Sequence, residues 1–477
     1  MQTTFESIEE VVESNLCIGC GACASINGST TKMQENEYGL YQPKAEKARS
    51  IGIKNIESSV CPFNSPINET EISAQLFPGT RKYAHIGRYL STYAGFVKDK
   101  EERGSSSSGG LGSWILEELL TRGLIDGVAH VGNSDEGTLF KYKISRSASE
   151  IKAGKKSKYY STEISEVISK IKSTPGRYAI TGVPCFIKAI QLLRNSDPIL
   201  KQRIVFTIGL VCGHMKTHAY SDWLAWEAGV PPGSKYSIDY RHKNPDQPAN
   251  NYSTLISSQT GTKAIKNSDI PLNKWGYGLF KPNACEYCDD VFAETADVCI
   301  GDAWLPQYVN NPLGTNIVIV RNSLLLNIFN DEISSASKAH IEELSPELIV
   351  DSQLGGIRHR TEGLAHRLTY KETPSKLVRR TQLKRAGNAW LEKMYDLRFN
   401  ITQKSHILFQ EAKAINSLDA FRNPIKVLVV EYESVYREAR KSLRDKIAEA
   451  IEYRVPFIYR AIKGTLQTIR AMRNQPK

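Results

Sequence analysis

Four cysteines near the N-terminus constrain this chain more than any other feature. Cys17, Cys20 and Cys23 form C-x2-C-x2-C, and Cys61 follows later, succeeded by Pro62. Two residues between thiols let successive sulfurs wrap the corners of one cubane. Gly19 and Gly21 permit the positive φ and close backbone approach that such a wrap needs. Backbone N–H groups in the wrap then face the sulfides and stabilise a reduced cluster's charge. Structural zinc also accepts four thiolates. Zinc ribbons, however, present two separate C-x2-C knuckles, and three cysteines in one run followed by Cys-Pro fit a [4Fe–4S] cluster better.

Bacterial ferredoxins use C-x2-C-x2-C-x3-C-P, in which the last cysteine serves a second cluster. Here a distant Cys-Pro replaces that nearby cysteine, so the half-motif and Cys61 make one complete site. Nine cysteines in 477 residues do not make a disulfide framework. In a reducing compartment, clustered thiols are metal ligands or redox groups. Four more cysteines are scattered in suggestive places. Cys185 follows a strand in Thr181-Gly182-Val183-Pro184-Cys185, Cys212 ends the apolar run Gly209–Cys212, and Cys285-x2-Cys288 precedes Asp289-Asp290. Loops at the carboxyl ends of parallel strands are where α/β sheets assemble sites. Spacing alone leaves two readings open for these four, a second cluster or buried free thiols. Cys299, in Asp297-Val298-Cys299-Ile300, reads as a core residue.

The rest of the chain divides by pattern. Residues 1–78 read as a small domain built round a metal centre, with a boundary near Phe77-Pro78-Gly79. Residues 79–326 read as α/β. Apolar β-branched runs at Val128–Val131, Tyr178–Thr181, Arg203–Ile208 and Thr315–Val320 alternate with helical segments such as Trp114–Gly123 and Thr162–Lys172. Residues 327–477 read as mostly helical, with Tyr432, Val435, Tyr436, Ala439, Leu443, Ile447 and Ile451 at helical spacing. The net charge of +11 is carried by the tail: Lys376–Lys477 holds 22 Lys+Arg against 10 Asp+Glu. The cysteine-bearing part is close to neutral, which argues against a nucleic-acid partner. No apolar stretch approaches the roughly 20 residues that span a bilayer, and Met1–Glu10 lacks a secretory pattern. Both observations point to the cytoplasm.

Several short segments suggest cofactor contacts. The run Ser105–Gly110 leads into a helix, whose N-terminus is a natural phosphate cradle. A capped flexible loop explains it equally well. Lys155-Lys156-Ser157-Lys158 is a basic run suited to a diphosphate or to solvent. Gly301-Asp302-x-Trp304 ends a strand. Taken in order, the segments resemble the beta-subunit family of the deazaflavin-coenzyme (F-420) reducing hydrogenase, which also includes hydroxymethyl chlorophyll reductase and formate dehydrogenase beta subunits. The resemblance rests on the first cysteine group, Ser108-Gly109-Gly110, Lys158-Tyr159 and Gly182-Val183-Pro184-Cys185. It continues through Leu210–Gly213, Cys285-x2-Cys288-x-Asp290, Ala296-Asp297, Gly301-Asp302 and Trp304. It spans about residues 15–320, roughly two-thirds of the chain. This chain departs from the family in having Lys156 before Ser157-Lys158-Tyr159, in the patch Tyr240-Arg241-His242-Lys243, and in its helical tail.

The resemblance implies an N-terminal ferredoxin-like iron–sulfur module, an α/β flavin domain and a helical extension. It implies FAD among Ser108, Gly109, Gly110, Lys158, Tyr159, Gly182 and Pro184, and a second cluster on Cys185, Cys212, Cys285 and Cys288. Use of the deazaflavin coenzyme is not assumed, because many bacterial members look like parts of exopolysaccharide pathways. The function expected on this basis is an oxidoreductase. It takes electrons from a ferredoxin-like donor through clusters and FAD to a small-molecule or carbohydrate-type acceptor. His214, Lys216, His242 and Asp302 are the candidate proton donors. Two other readings stand beside it: an electron-transfer subunit serving a separate catalytic partner, and a non-enzymatic protein with structural zinc. The basic amphipathic segment Val455–Met472 suits either an anionic membrane surface on the cytoplasmic face or a helical bundle over the core.

Overall fold

A computed structural model describes residues 5–370, 385 and 387–454, with side chains to residue 438. Its centre is an eight-stranded mixed sheet. The strands are β1 (Ser91–Val97), β2 (Gly127–Asn133), β3 (Phe140–Ser145), β4 (Tyr178–Gly182), β5 (Ile204–Leu210), β6 (Val298–Asp302), β7 (Asn316–Val320) and β8 (Ala339–Glu343). They lie in the order β8-β1-β7-β6-β5-β4-β2-β3. The four strands β6, β5, β4 and β2 run parallel. The pairs outside them are antiparallel.

Successive side chains on a strand point to opposite faces, and here each face has its own apolar layer. Ala179, Ile208, Val298 and Val318 pack with Trp114 and Ile115 of the helix Leu111–Thr121. Ile180, Cys299, Ile317 and Ile319 pack with Ile187 and Ile190 of the helix Pro184–Ser196. Strands covered on both faces read as continuous apolar runs, which is why the sequence located four of them. Cys299 is fully buried in β6, as expected.

The parallel strands end together at Asn133, Gly182, Leu210 and Asp302. The N-terminal segment sits against this part of the molecule. It consists of the hairpin Thr31–Glu35/Tyr41–Ala45 and short helices at Ile8–Glu13 and Ile51–Ser59. Its Val11, Leu16 and Ile18 belong to the same apolar cluster as Ile164 and Ile187. The N–H of Ile164 donates to the Cys20 carbonyl at 2.9 Å, and the N–H of His218 donates to the Gly39 carbonyl at 2.9 Å.

The boundary placed at 326/327 cuts through the sheet. Residues 339–343 form β8, an edge strand paired with β1 from Ala339↔Val97 to Glu343↔Tyr93. Ala-His-Ile-Glu-Glu is short and half polar, as edge strands tend to be, and so carries no strong strand signal. Helices follow at Pro346–Asp351, Leu354–Arg360 and Glu362–Arg367. The long helices Ala389–Ala414 and Leu418–Arg454 then pack along each other. Tyr432 and Val435 are buried there, while Tyr436 is 38% exposed. Among the described residues no helix is long and apolar enough to cross a membrane. The segment Val455–Met472 lies outside the described residues.

Arg321, just after β7, is 2% exposed. It donates to the carbonyls of Arg88, Ile86, Phe292 and Ala296 at 2.8–3.3 Å. It thereby ties the chain entering β1 to the loop entering β6. Arg321→Leu strands these buried acceptors and is expected to destabilise the fold by about 3 kcal/mol or more, read as a lowered midpoint in urea unfolding.

Candidate redox site

The wrap expected of the first cysteines is present. Gly19 and Gly21 adopt φ of +75° and +83°. A Cβ at Gly19 would lie 2.5 Å from the Tyr41 carbonyl oxygen, and one at Gly21 would lie 2.4 Å from Glu163 Oε2. Backbone N–H groups reach the sulfurs: Gly19 to Cys17, Ala22 to Cys20, and Phe63 and Asn64 to Cys61. The side chains of Ile8, Val11, Ile18, Met33, Pro43 and Pro62 enclose the group. Burial pushes the Cys17 thiol up to about 12. It raises Cys20, Cys23 and Cys61 as well, and for Cys17, Cys20 and Cys23 neighbouring thiolates add to the rise. Four thiols packed this closely cannot ionise together unless a cation is ligated, so the donor set fits a metal centre.

The second four converge too. Cys185 is raised by burial and then by the charges of Cys288, Cys285 and Cys212. None of the nine cysteines is in a disulfide. Cys185 and Cys212 follow the ends of β4 and β5, while Cys285 and Cys288 lie in the loop before β6. Arg360, 2% exposed, faces Cys288, Cys212 and Cys285 and holds their charged forms favourable. The two groups lie within electrostatic reach of each other: Cys20 is among the charges that raise Cys185. Among the described residues, no three His, Cys, Asp or Glu side chains close tightly round a single-ion position.

Beyond Cys212 opens a cavity of about 650 Å³ at the carboxyl edge of the sheet. One end is formed by Ser106, Ser107 and Ser108, the first turn of the helix Leu111–Thr121, and Lys155–Lys158. The other end is formed by His214, Trp275, Lys281, His359 and Arg398.

Of the residues singled out from sequence, Ser108, Gly110, Lys158, Tyr159, Gly182, Cys212, His214, Lys216 and Asp302 line this cavity. Gly109 instead buttresses β1, its carbonyl accepting from Val97 N–H at 2.8 Å. Pro184 is buried at the first position of its helix. His242 does not line the cavity: its side chain is 48% exposed, beyond the bulge between Asp239 and His242 in its strand. Ser108 Oγ donates to the Thr315 carbonyl at 2.8 Å. Lys158 Nζ donates to the carbonyls of Gly154 and Lys156 at 2.6 and 2.9 Å. Burial, then Lys143 and Lys156, bring Lys158 down to about 7 against the opposing pull of Asp239. Lys243, bonded to the Ser108 and Leu313 carbonyls, is likewise brought to about 7 by burial and by Arg241 and Arg103.

His214 is stacked on Trp275 with ring centroids 4.2 Å apart. Its Nε2 is enclosed without a hydrogen-bond partner. Burial, then Lys216 and Lys281, hold it well below the usual histidine range, so it is neutral. Lys216 is 2% exposed and also held far down by burial. Asp302 pairs with Arg241 at 2.7 Å. Sequence reasoning missed Arg360, Lys281, His359, Arg398 and Trp275. Lys281 stands four residues before Cys285, which was the one available hint.

Two buried thiol groups beside a cation-lined cavity are the arrangement of an oxidoreductase component. Comparison with known proteins gives the particular family. Residues 92–169 match the N-terminal part, and residues 176–347 the C-terminal part, of the beta subunit of coenzyme F420 hydrogenase/dehydrogenase. A subunit of the F(420)H(2) dehydrogenase of Methanosarcina mazei is 23% identical over 325 residues, 66% of this chain and 82% of that protein. An uncharacterized protein of Methanocaldococcus jannaschii is also 23% identical, over 66% of this chain and 86% of its own. A chain of the F420-reducing [NiFe] hydrogenase complex from Methanosarcina barkeri superposes with a TM-score of 0.46 and 17% identity, covering 59% of this chain and 92% of that one. The chain belongs to the coenzyme F420 hydrogenase/dehydrogenase beta-subunit family.

Gly19→Ala forces a side chain into the left-handed region and against a backbone oxygen. It is expected to cost about 2 kcal/mol or more and to lower the metal content of purified protein, measured by elemental analysis, while Gly112→Ala, whose Cβ would meet nothing within 4 Å, leaves the metal content unchanged.

Proposed function

We propose that this chain is an electron-transfer subunit that carries electrons between a ferredoxin-like donor and a cofactor in its cavity, in the service of a separate catalytic partner. One observation supports this reading above the others. Cys185 feels the charge of both Cys20 and Cys212, and Cys212 lines the cavity, so thiol positions lead from the N-terminal module toward the cofactor end of the sheet. In this reading Cys17, Cys20, Cys23 and Cys61 hold one [4Fe–4S] cluster, and Cys185, Cys212, Cys285 and Cys288 hold a second. FAD lies against the wall that the serine turn and Lys155–Lys158 form together. When bound, the clusters carry single electrons and the flavin gathers them in pairs.

The chain's own residues supply the setting. The apolar enclosure of the first cysteines excludes water, and their N–H contacts lower the cost of added negative charge. The Arg360 guanidinium does the same for the second group. Lys158, on the cavity wall, and Lys243, bonded to the serine turn, brace the two loops that would meet a diphosphate, each through backbone carbonyls, and would favour its charge through space. His214, neutral and with Nε2 open, offers one hydrogen bond without storing a proton. The family membership and its curated relative, part of a dehydrogenase, favour a subunit over a stand-alone reductase. A reductase with its own acceptor, including a carbohydrate-type one, is the second reading, supported by the cavity space beyond the serine turn.

Anaerobic purification followed by iron, sulfide, zinc and flavin quantitation tests the reading. About eight irons and one flavin per chain are expected, with Cys61→Ser and Cys212→Ser each losing about half the iron. Zinc without iron or flavin overturns it. Lys158 and Lys243 lose their protons near pH 7 in the free cavity, whereas a bound diphosphate favours the protonated forms. FAD affinity is therefore expected to fall as pH rises through 7, by up to roughly tenfold per unit for each lysine, as measured by fluorescence titration of flavin-stripped protein between pH 6 and 9.

A further inference from the structure

The far end of the cavity, away from the serine turn, takes three of its charged or ring side chains from beyond the family's matched segments. His359 and Arg360 come from the helix Leu354–Arg360, and Arg398 comes from the long helix Ala389–Ala414. The family match ends at 347. Arg398 is held from two sides. Its Nη2 donates to the Tyr432 hydroxyl at 3.0 Å, and its Nη1 lies 3.2 Å from His359 Nδ1. Tyr432 is buried on the helix Leu418–Arg454, so the C-terminal helix pair aims this guanidinium into the cavity.

Arg398 brings to this end a charge that no carboxylate among the described residues meets: its bonds go to Tyr432 and His359, while Arg360 faces the second cysteine group and Lys281 pairs with Glu286. Glu286 is committed to Lys281 at 2.5 Å, to Arg367 at 3.1 Å and to His359 at 3.3 Å. Asp302, also on the cavity wall, pairs with Arg241 through Oδ2. Four nitrogens here are enclosed and without hydrogen-bond partners: Arg398 Nε, Arg360 Nε and Nη1, and His214 Nε2. Buried unpaired donors and surplus positive charge are costly unless an anion completes them. A planar guanidinium with a free Nε edge suits a carboxylate or phosphate group.

We propose that the Arg398–His214 end of the cavity is an oxyanion-binding subsite, and that the C-terminal helix pair, through Arg398 and Tyr432, selects a phosphate- or carboxylate-bearing organic molecule as the redox partner that enters there. The subsite rests on the proposed function in that it lies beside the cofactor position. Its anion binding is independent of electron flow.

The test is calorimetric titration of inorganic phosphate into full-length protein carrying its native cofactors, whose iron and flavin contents are recorded alongside. Wild-type protein is expected to bind phosphate, and Arg398→Gln to bind at least tenfold more weakly with unchanged iron and flavin. Arg398→Lys should fall between them, because it keeps the charge and loses the planar fork. Tyr432→Phe preserves the aromatic packing and is expected to weaken binding several-fold, which keeps the test informative if Arg398→Gln fails to fold. Absence of phosphate binding by wild type, or equal affinity in Arg398→Gln and Tyr432→Phe, overturns the proposal. If phosphate binding depends on Arg398 but the protein contains neither iron nor flavin, the subsite stands and the electron-transfer reading falls.

Discussion

The carbonyl of Cys20 accepts the N–H of Ile164, and on the other side of that contact lie the strands that present Cys185 and Cys212. This junction sets how the N-terminal module must sit. A hairpin and short helices with few apolar residues of their own cannot bury a group of thiols unaided. They do so by lending Val11, Leu16 and Ile18 to the apolar layer under the sheet. The backbone bond at Cys20 and the close fit of Gly21 against Glu163 fix the register of that packing. Everything downstream, from the second thiol group to the cavity, inherits its position from the same layer.

The sheet does the rest through direction. Four parallel strands finish at one edge, and the turns that leave them carry Gly182, Cys212 and Asp302 into a common space. The antiparallel strands on either flank close the sheet and add Asn316 and Tyr142 to the cavity wall. What fills the space is charge out of water, and its arrangement is unequal. Toward the serine turn, lysines are braced on backbone carbonyls. Toward Trp275, arginines and a neutral histidine keep free edges.

Much of this is legible in the residues alone. The two cysteine groups are visible as C-x2-C-x2-C with Cys-Pro and as strand-ending cysteines beside a C-x2-C pair. The buried strands are visible because runs such as Ile317–Val320 are apolar throughout. What stays hidden has physical reasons. β8 is short and half polar, so its alternation reads as noise. Arg360 and Arg398 look like ordinary surface residues of polar helices, and only tertiary packing turns them inward. His242 and His214 look alike in sequence, yet a bulge in one strand leaves the first at the surface while a tight turn after β5 buries the second. Gly109 lies inside the recognised motif but supports β1 rather than the cavity.

The sharing of one apolar layer by the cysteine module and the sheet has a consequence for the protein's life in a cell. The module is not a detachable cassette, so ligation of its thiols and the folding of the larger domain draw on a single equilibrium. A chain that fails to acquire its metal presents loosened backbone along the 160s as well as at its N-terminus. With metal held by those thiols as proposed, its supply would bear directly on how long the folded polypeptide resists proteolysis.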